Sequence, residues 1–155
     1  MTEKEFLQIK ELLDQHHVSY YVMDHAPTPT SEIAVRVTGT KPEEGAKAIV
    51  LRSKGRFLMC VLSGNRKIDL KKVRMILGHK TLSLATPEEV KKATGCDIGS
   101  VHPFGNLCGI QLYADRNLIK HEMMTFSAGM VTKSIRMKSE EYLQLSKAVV
   151  EDFYA

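Results

Sequence analysis

Apolar residues recur at helical spacing near the start of the chain. Phe6, Ile9, Leu12 and Leu13 fall on one stripe and predict a helix over residues 2–16, with Thr2 and Glu5 as a capping box. Residues 18–23 form a short β-prone run. It ends at His25-Ala26-Pro27-Thr28-Pro29-Thr30, where two prolines forbid a helix and leave a semi-rigid loop. Ser31 opens a short helix through Ile33, Ala34 and Val37, closed by Gly39. The centre then changes period. Two apolar runs, residues 45–52 and 56–62, flank Ser53-Lys54-Gly55 and read as a hairpin. Asp69 caps a basic amphipathic helix with Leu70, Val73, Ile76 and Leu77 inward, and Gly78 stops it. After a strand over residues 81–85, Thr86-Pro87-Glu88-Glu89 supplies a cap, a proline at the first helical position and a glutamate at the third. That helix ends at Gly95.

The remaining pattern predicts a turn-rich loop over residues 99–105, a strand over 108–113, and a turn at Asp115-Arg116-Asn117. A strand over 123–127 follows, then Ala128-Gly129, a last strand around 134–137, and a helix capped by Ser139. That helix would carry Tyr142, Leu145, Val149 and Phe153 on one stripe. Helices and strands do not alternate regularly, which argues against a doubly wound parallel sheet. The expected class is α/β of mixed type: a mixed, partly barrel-like β-sheet surrounded by α-helices, in one domain spanning residues 1–155.

Composition narrows the picture. At 155 residues, the chain is long enough to bury roughly 70% of its unfolded surface without staples. With 43% apolar and 26% charged residues it reads as globular, not disordered. The longest apolar run, residues 57–62, falls far short of the ~20 residues a membrane span needs. Acidic residues in Thr2-Glu3-Lys4-Glu5 argue against a secretory or transit signal. Three cysteines are too few for a disulfide framework, so a reducing cytoplasm is expected. The net charge of +4 permits nucleic-acid contact without demanding it. The lack of tryptophan weakens any single-strand binder built on stacked bases.

Candidate chemistry begins with Lys47. Strand alternation puts it on one face with Ile49 and Leu51, while Ala46, Ala48 and Val50 take the other. A lysine there either snorkels to solvent, which periodicity alone favours, or meets an anion. In Gly99-x-x-x-Pro103, glycine lets backbone approach a ligand and proline stiffens it. Val101 and Ser100 lie inside that bend, and His102, pushed toward an extended conformation by Pro103, could bind substrate or relay a proton. An ordinary surface loop is the alternative. Ser127-Ala128-Gly129 could line a small pocket or form a plain tight turn. Lys67, Lys71, Lys72 and Arg74, with Lys91 and Lys92, could meet phosphates or simply be a solvated face. Cys96, His102 and Cys108 lack the close pairing of a zinc site, and no phosphate loop, His-Glu-x-x-His or Gly-x-Ser-x-Gly motif occurs. No metal and no cofactor are expected.

The order of these pieces carries more than any one of them. Residues 25–34, with prolines and hydroxyls, precede Gly45-Ala46-Lys47-Ala48-Ile49-Val50-Leu51, then Gly99-x-x-x-Pro103, then Phe126-Ser127-Ala128-Gly129. This series resembles the YbaK/prolyl-tRNA synthetase-associated domain family of aminoacyl-tRNA editing domains, from about Val18 to the final helix. The resemblance implies a mixed, partly barrel-like sheet surrounded by helices. It also implies hydrolysis of the ester joining a wrong amino acid to a tRNA 3′ end, here by a free-standing enzyme acting in trans on a small amino acid on tRNA-Pro or a similar mispair. Carried over by position, Lys47 would contact phosphate or sugar at the tRNA end. The loop of Gly99, Ser100, Val101, His102 and Pro103 would grip the terminal adenosine and aminoacyl group. Thr30, Ser31, Ser127, Ala128 and Gly129 complete the expected substrate contacts, and Lys47 and Gly99 carry the catalytic expectation. An aminoacyl ester is already activated, so a positioned water or substrate hydroxyl suffices beside backbone donors. The implied partners are the tRNA acceptor end and an aminoacyl-tRNA synthetase, with neither a membrane nor DNA. Thr30-Ser31 and Met130-Val131 depart from the family pattern and bear on which amino acid is removed. The competing reading is a non-catalytic module of the same fold that binds tRNA ends or nucleotides.

Overall fold

Local chemistry fixes the ends of two helices in the computed structural model, which describes residues 3–28 and 31–155, with backbone alone at 31 and 32. The Asp69 carboxylate accepts from the Lys71 and Lys72 amides to start α3 (Leu70–Leu77), and Gly78 ends it in a left-handed conformation. Thr86 and Glu89 form the expected reciprocal capping box at the head of α4 (Pro87–Thr94). Helix α1 (Lys4–Gln15) buries Phe6, Ile9 and Leu13. Its cap position is Glu3, with no side-chain cap bond, and Thr2 of the expected capping box lies outside the described residues.

The strands form two sheets. One is antiparallel, in the order β1 (Tyr20–Asp24), β7 (Lys133–Lys138), β6 (Met123–Met130). The other is mixed, in the order β4 (Ser83–Leu84), β2 (Ala46–Ser53), β3 (Arg56–Ser63), β5 (Gln111–Asp115), β8 (Val149–Glu151). The β2–β3 and β2–β4 pairs run antiparallel, whereas β3–β5 and β5–β8 run parallel. A bridge between Gly45 and Thr125 joins the two sheets. The class is the expected mixed α/β, but the sheets do not close into a barrel.

Both faces of β2 and β3 are covered, which explains their nearly unbroken apolar runs. Val50, Met59 and Val61 enter one core with Ile9, Phe104, Phe126, Ile135 and Tyr142. Leu51, Leu58, Cys60 and Leu62 enter a second, with Val73, Leu82 and Phe153.

Five expectations are corrected. Residues Gly105–Cys108 form a 3₁₀ turn and not the start of a strand, because the left-handed Gly109 returns its N–H to the turn and delays β5 to Gln111. Where a turn was expected, Asp115 caps a short helix, α5 (Arg116–Ile119). The last helix, α6 (Ser139–Ser146), stops at a left-handed Lys147. Val149 then belongs to β8, and Phe153 follows it into the second core. Ser139 is not its cap, since Lys138 holds that position and the buried Ser139 hydroxyl has no hydrogen-bond partner. Lastly, β6 does not end at Ser127 but runs through an irregularity between Ser127 and Met130. Gly129, at φ 85°, permits this. A Cβ there would sit 2.9 Å from Cβ of Glu5, so the glycine lets α1 cross the strand.

Candidate functional site

Strand β4 pairs with β2 only at Leu51 and Arg52, so the edge of β2 around Ala48 stays open. A cavity of about 400 Å³ occupies that open side. Ala34, Val35 and Thr38 of α2 (Ser31–Thr38) form one wall, and Ile98, Gly99 and Val101 form another. Thr125 and Ser127 of β6, with Ser134 of β7, form the floor. The lining is mainly apolar, with hydroxyls concentrated on the floor and beside α2, where the Thr38 and Thr40 hydroxyls bond at 2.8 Å.

Lys47 lines this cavity together with Gly99. It is half-buried, and no described residue gives it a hydrogen bond or ion pair. Burial lowers its pKa below 10.5, and the nearby Lys67 charge lowers it further. Among the described residues no carboxylate acts on Lys47 beside Lys67, and an anion at this spot would offset both the desolvation and the repulsion.

The Gly99–Pro103 segment divides by side. Gly99, at φ 94°, and Val101 face the cavity. Ser100, His102 and Pro103 do not line it, being buried beneath the segment as its anchors. The Ser100 hydroxyl donates to the Asp97 carbonyl, and the Pro103 carbonyl accepts from the Tyr142 hydroxyl at 2.6 Å. Nδ1 of His102 accepts from the Phe104 amide, while Nε2 is buried without a partner. Burial pushes the His102 pKa down to about 4, so the ring is neutral and enclosed, unlike the substrate-facing or proton-relaying histidine expected.

Ser127 faces the cavity and donates to the Gly99 carbonyl at 3.4 Å, tying floor to wall. The two residues after it do not line the cavity: Ala128 packs in the first core and Gly129 against α1. Thr30 lies outside the described residues, and Ser31 is placed only as the first residue of α2. The structure thus brings Lys47, Gly99, Val101 and Ser127 to one cavity. It adds Thr38, Thr40, Thr125 and Ser134, which sequence reasoning missed. The hydroxyls of Thr125 and Ser127, two residues apart in a β-prone run, and Ser134 beside Ile135 were the signal available for the floor. Among the described residues, no group of histidine, cysteine and carboxylate side chains could hold a metal ion. No described helix is long and apolar enough to cross a membrane.

A two-sheet α/β domain with a lysine at an apolar cavity, unpaired among the described residues, is the class of protein that the fold and site define. Its particular family follows from comparison: residues 25–145 match the family described as the aminoacyl-tRNA editing domain, and the chain belongs to that family. It is 31% identical over 147 residues to the multifunctional Ser/Thr-tRNA deacylase ProXp-y of Escherichia coli K12, covering 92% of this chain and 88% of that one. A 74-residue stretch, 48% of this chain, is 39% identical to 13% of the proline–tRNA ligase of Moorella thermoacetica. A crystal structure described as a candidate trans-editing enzyme for prolyl-tRNA synthetase superposes with a TM-score of 0.86 at 25% identity, over 100% of this chain and 99% of that one. The family resemblance seen in the sequence is borne out.

Proposed function

We propose that this chain, as a single editing domain over residues 1–155, acts in the cytoplasm and in trans as an aminoacyl-tRNA deacylase. Its substrate is the ester of a small amino acid on the wrong tRNA, with tRNA-Pro the first candidate. The observation that carries this reading is the half-buried Lys47 ammonium beside Gly99 at one cavity, with no partner among the described residues. In this reading Lys47 holds a phosphate or sugar of the tRNA end. The backbone at Gly99 and Val101 grips the terminal adenosine and aminoacyl group, and Ser100, His102 and Pro103 brace that backbone from beneath. The small cavity limits the side chain that fits, and the names of the E. coli and prolyl-tRNA synthetase relatives support tRNA as partner and a synthetase as source of the mispair.

An aminoacyl ester needs no covalent help from the protein. Holding the carbonyl near fixed backbone dipoles, with the tRNA end immobilised, lowers the barrier through positioning and oxyanion stabilisation. The test is a deacylation panel of Ala, Cys, Ser and Thr on tRNA-Pro, with other mischarged pairs. Hydrolysis of at least one small aminoacyl ester is expected. Lys47→Ala should lower kcat/KM at least ~10-fold, about 1.4 kcal/mol of transition-state stabilisation. Binding of acceptor-stem RNA without turnover anywhere in the panel would instead mark a non-catalytic module.

A further inference from the structure

The cavity floor holds a hydrogen-bonded pair that the proposed chemistry has not used. Ser134 lines the cavity although it is only 1% exposed. Its hydroxyl lies 2.8 Å from Nε2 of His25, and Nδ1 of His25 lies 2.8 Å from the Ala26 carbonyl. A carbonyl oxygen can only accept, so Nδ1 carries the proton of the neutral ring and Nε2 is left as an acceptor. Ser134 therefore donates to His25, and among the described residues no group donates to its oxygen, so that oxygen can accept from a molecule in the cavity it lines. The order hydroxyl, imidazole, orienting carbonyl is the arrangement by which proteins draw a proton out of a reacting group. Further bonds fix the histidine segment: the His25 amide donates to the Thr132 carbonyl, and the Thr28 amide and hydroxyl both donate to the Val131 carbonyl. Ser134 also pairs in register with Ser127, whose hydroxyl reaches Gly99. One polar line thus runs from the Gly99 bend across the floor to a half-buried histidine.

Resting on the deacylase reading above, we infer that Ser134 and His25 form the proton relay for the attacking water. As the water oxygen bonds to the ester carbonyl carbon, its proton passes to the Ser134 oxygen and the Ser134 proton passes to Nε2 of His25. The tetrahedral intermediate then collapses, the bond to the ribose oxygen breaks, and that oxygen takes the proton back along the same path. The products are the free amino acid and the tRNA with its terminal hydroxyl restored, so atoms and charge balance with no further reactant.

Steady-state deacylation of whichever aminoacyl-tRNA the panel identifies tests this. Ser134→Ala and His25→Gln should each lower kcat by ~100-fold, within the range of general-base contributions. KM should stay within about threefold, and the double variant should be little worse than either single, because the two act as a unit. Glutamine keeps a hydrogen-bonding group near Nε2 but cannot carry the proton, so a purely structural role predicts that it restores activity. Ser134→Thr, which keeps the hydroxyl, should recover to within about tenfold of the parent. Single-turnover rates of the wild-type protein in mixtures of light and heavy water do not depend on how any variant folds. They should curve with deuterium fraction because two protons move together. A straight line, or kcat within threefold of wild type in His25→Gln or Ser134→Ala, overturns the relay alone. A wild-type protein inactive on every ester overturns the deacylase reading and the relay with it.

Discussion

Burial holds the His102 pKa down to about 4 from 6.5, because it strips an imidazolium of its hydration. The unfolded chain binds that proton near its ordinary value and the folded chain does not. Stability is therefore full above pH 6.5, falls as the pH drops toward 4, and levels off below it. The whole effect is on the order of 3 kcal/mol. Urea denaturation at pH 7 and at pH 4.5 should show wild type losing about 2 kcal/mol more than His102→Asn, whose amide oxygen can still accept from the Phe104 amide. Equal losses would mean that water reaches the ring. The same residue shows what a motif can and cannot tell. The spacing from Gly99 to Pro103 located the bend, but side chains alternate along it. Gly99 and Val101 therefore meet the cavity, while Ser100 and His102 turn beneath it. A motif names the segment; only the placement of its backbone says which side chains face a ligand.

Elements whose ends are set by neighbours in sequence were legible, and those set by distant partners were not. Asp69 before α3, Thr86 and Glu89 before α4, and the Lys54-Gly55 turn between β2 and β3 each act within a few residues. Strand β8 exists because β5 offers it a parallel partner, and no local pattern encodes that. Asp115 holds this region together. Its fully buried carboxylate accepts the amides of Asn117, Phe153 and Tyr154, capping α5 and tying down the tail after β8. Asp115→Ala strands those N–H groups and should cost at least ~2 kcal/mol, against ~1 kcal/mol for Thr86→Ala at the more exposed cap of α4. Urea unfolding of both variants checks the ranking, which fails if the two losses are equal.

Across the whole molecule the net charge is concentrated in one stretch of sequence. Between Arg66 and Lys80 six exposed lysines and arginines face a single aspartate, Asp69, so this stretch alone outweighs the net charge of +4. It includes Lys67, whose charge reaches Lys47, and so continues the basic surface outward from the cavity mouth. An acceptor stem lying along it would release counter-ions, making affinity fall linearly on a log–log plot against salt. Lys71→Gln and Lys80→Gln should each flatten that slope by about one where a phosphate contact is lost. Both should leave turnover of a short aminoacyl-adenosine unchanged. A slope indifferent to both would place the stem elsewhere.

The incomplete cover that β4 gives β2 has a second result. An uncapped strand flank can pair with a strand from another copy, and proteins guard such flanks with charge, above all with lysine. Lys47 stands on that flank. The doorway proposed for a nucleic-acid terminus is thus also a place where the fold is open to self-association, and the Lys47 cation guards it against that while making it hospitable to an anion.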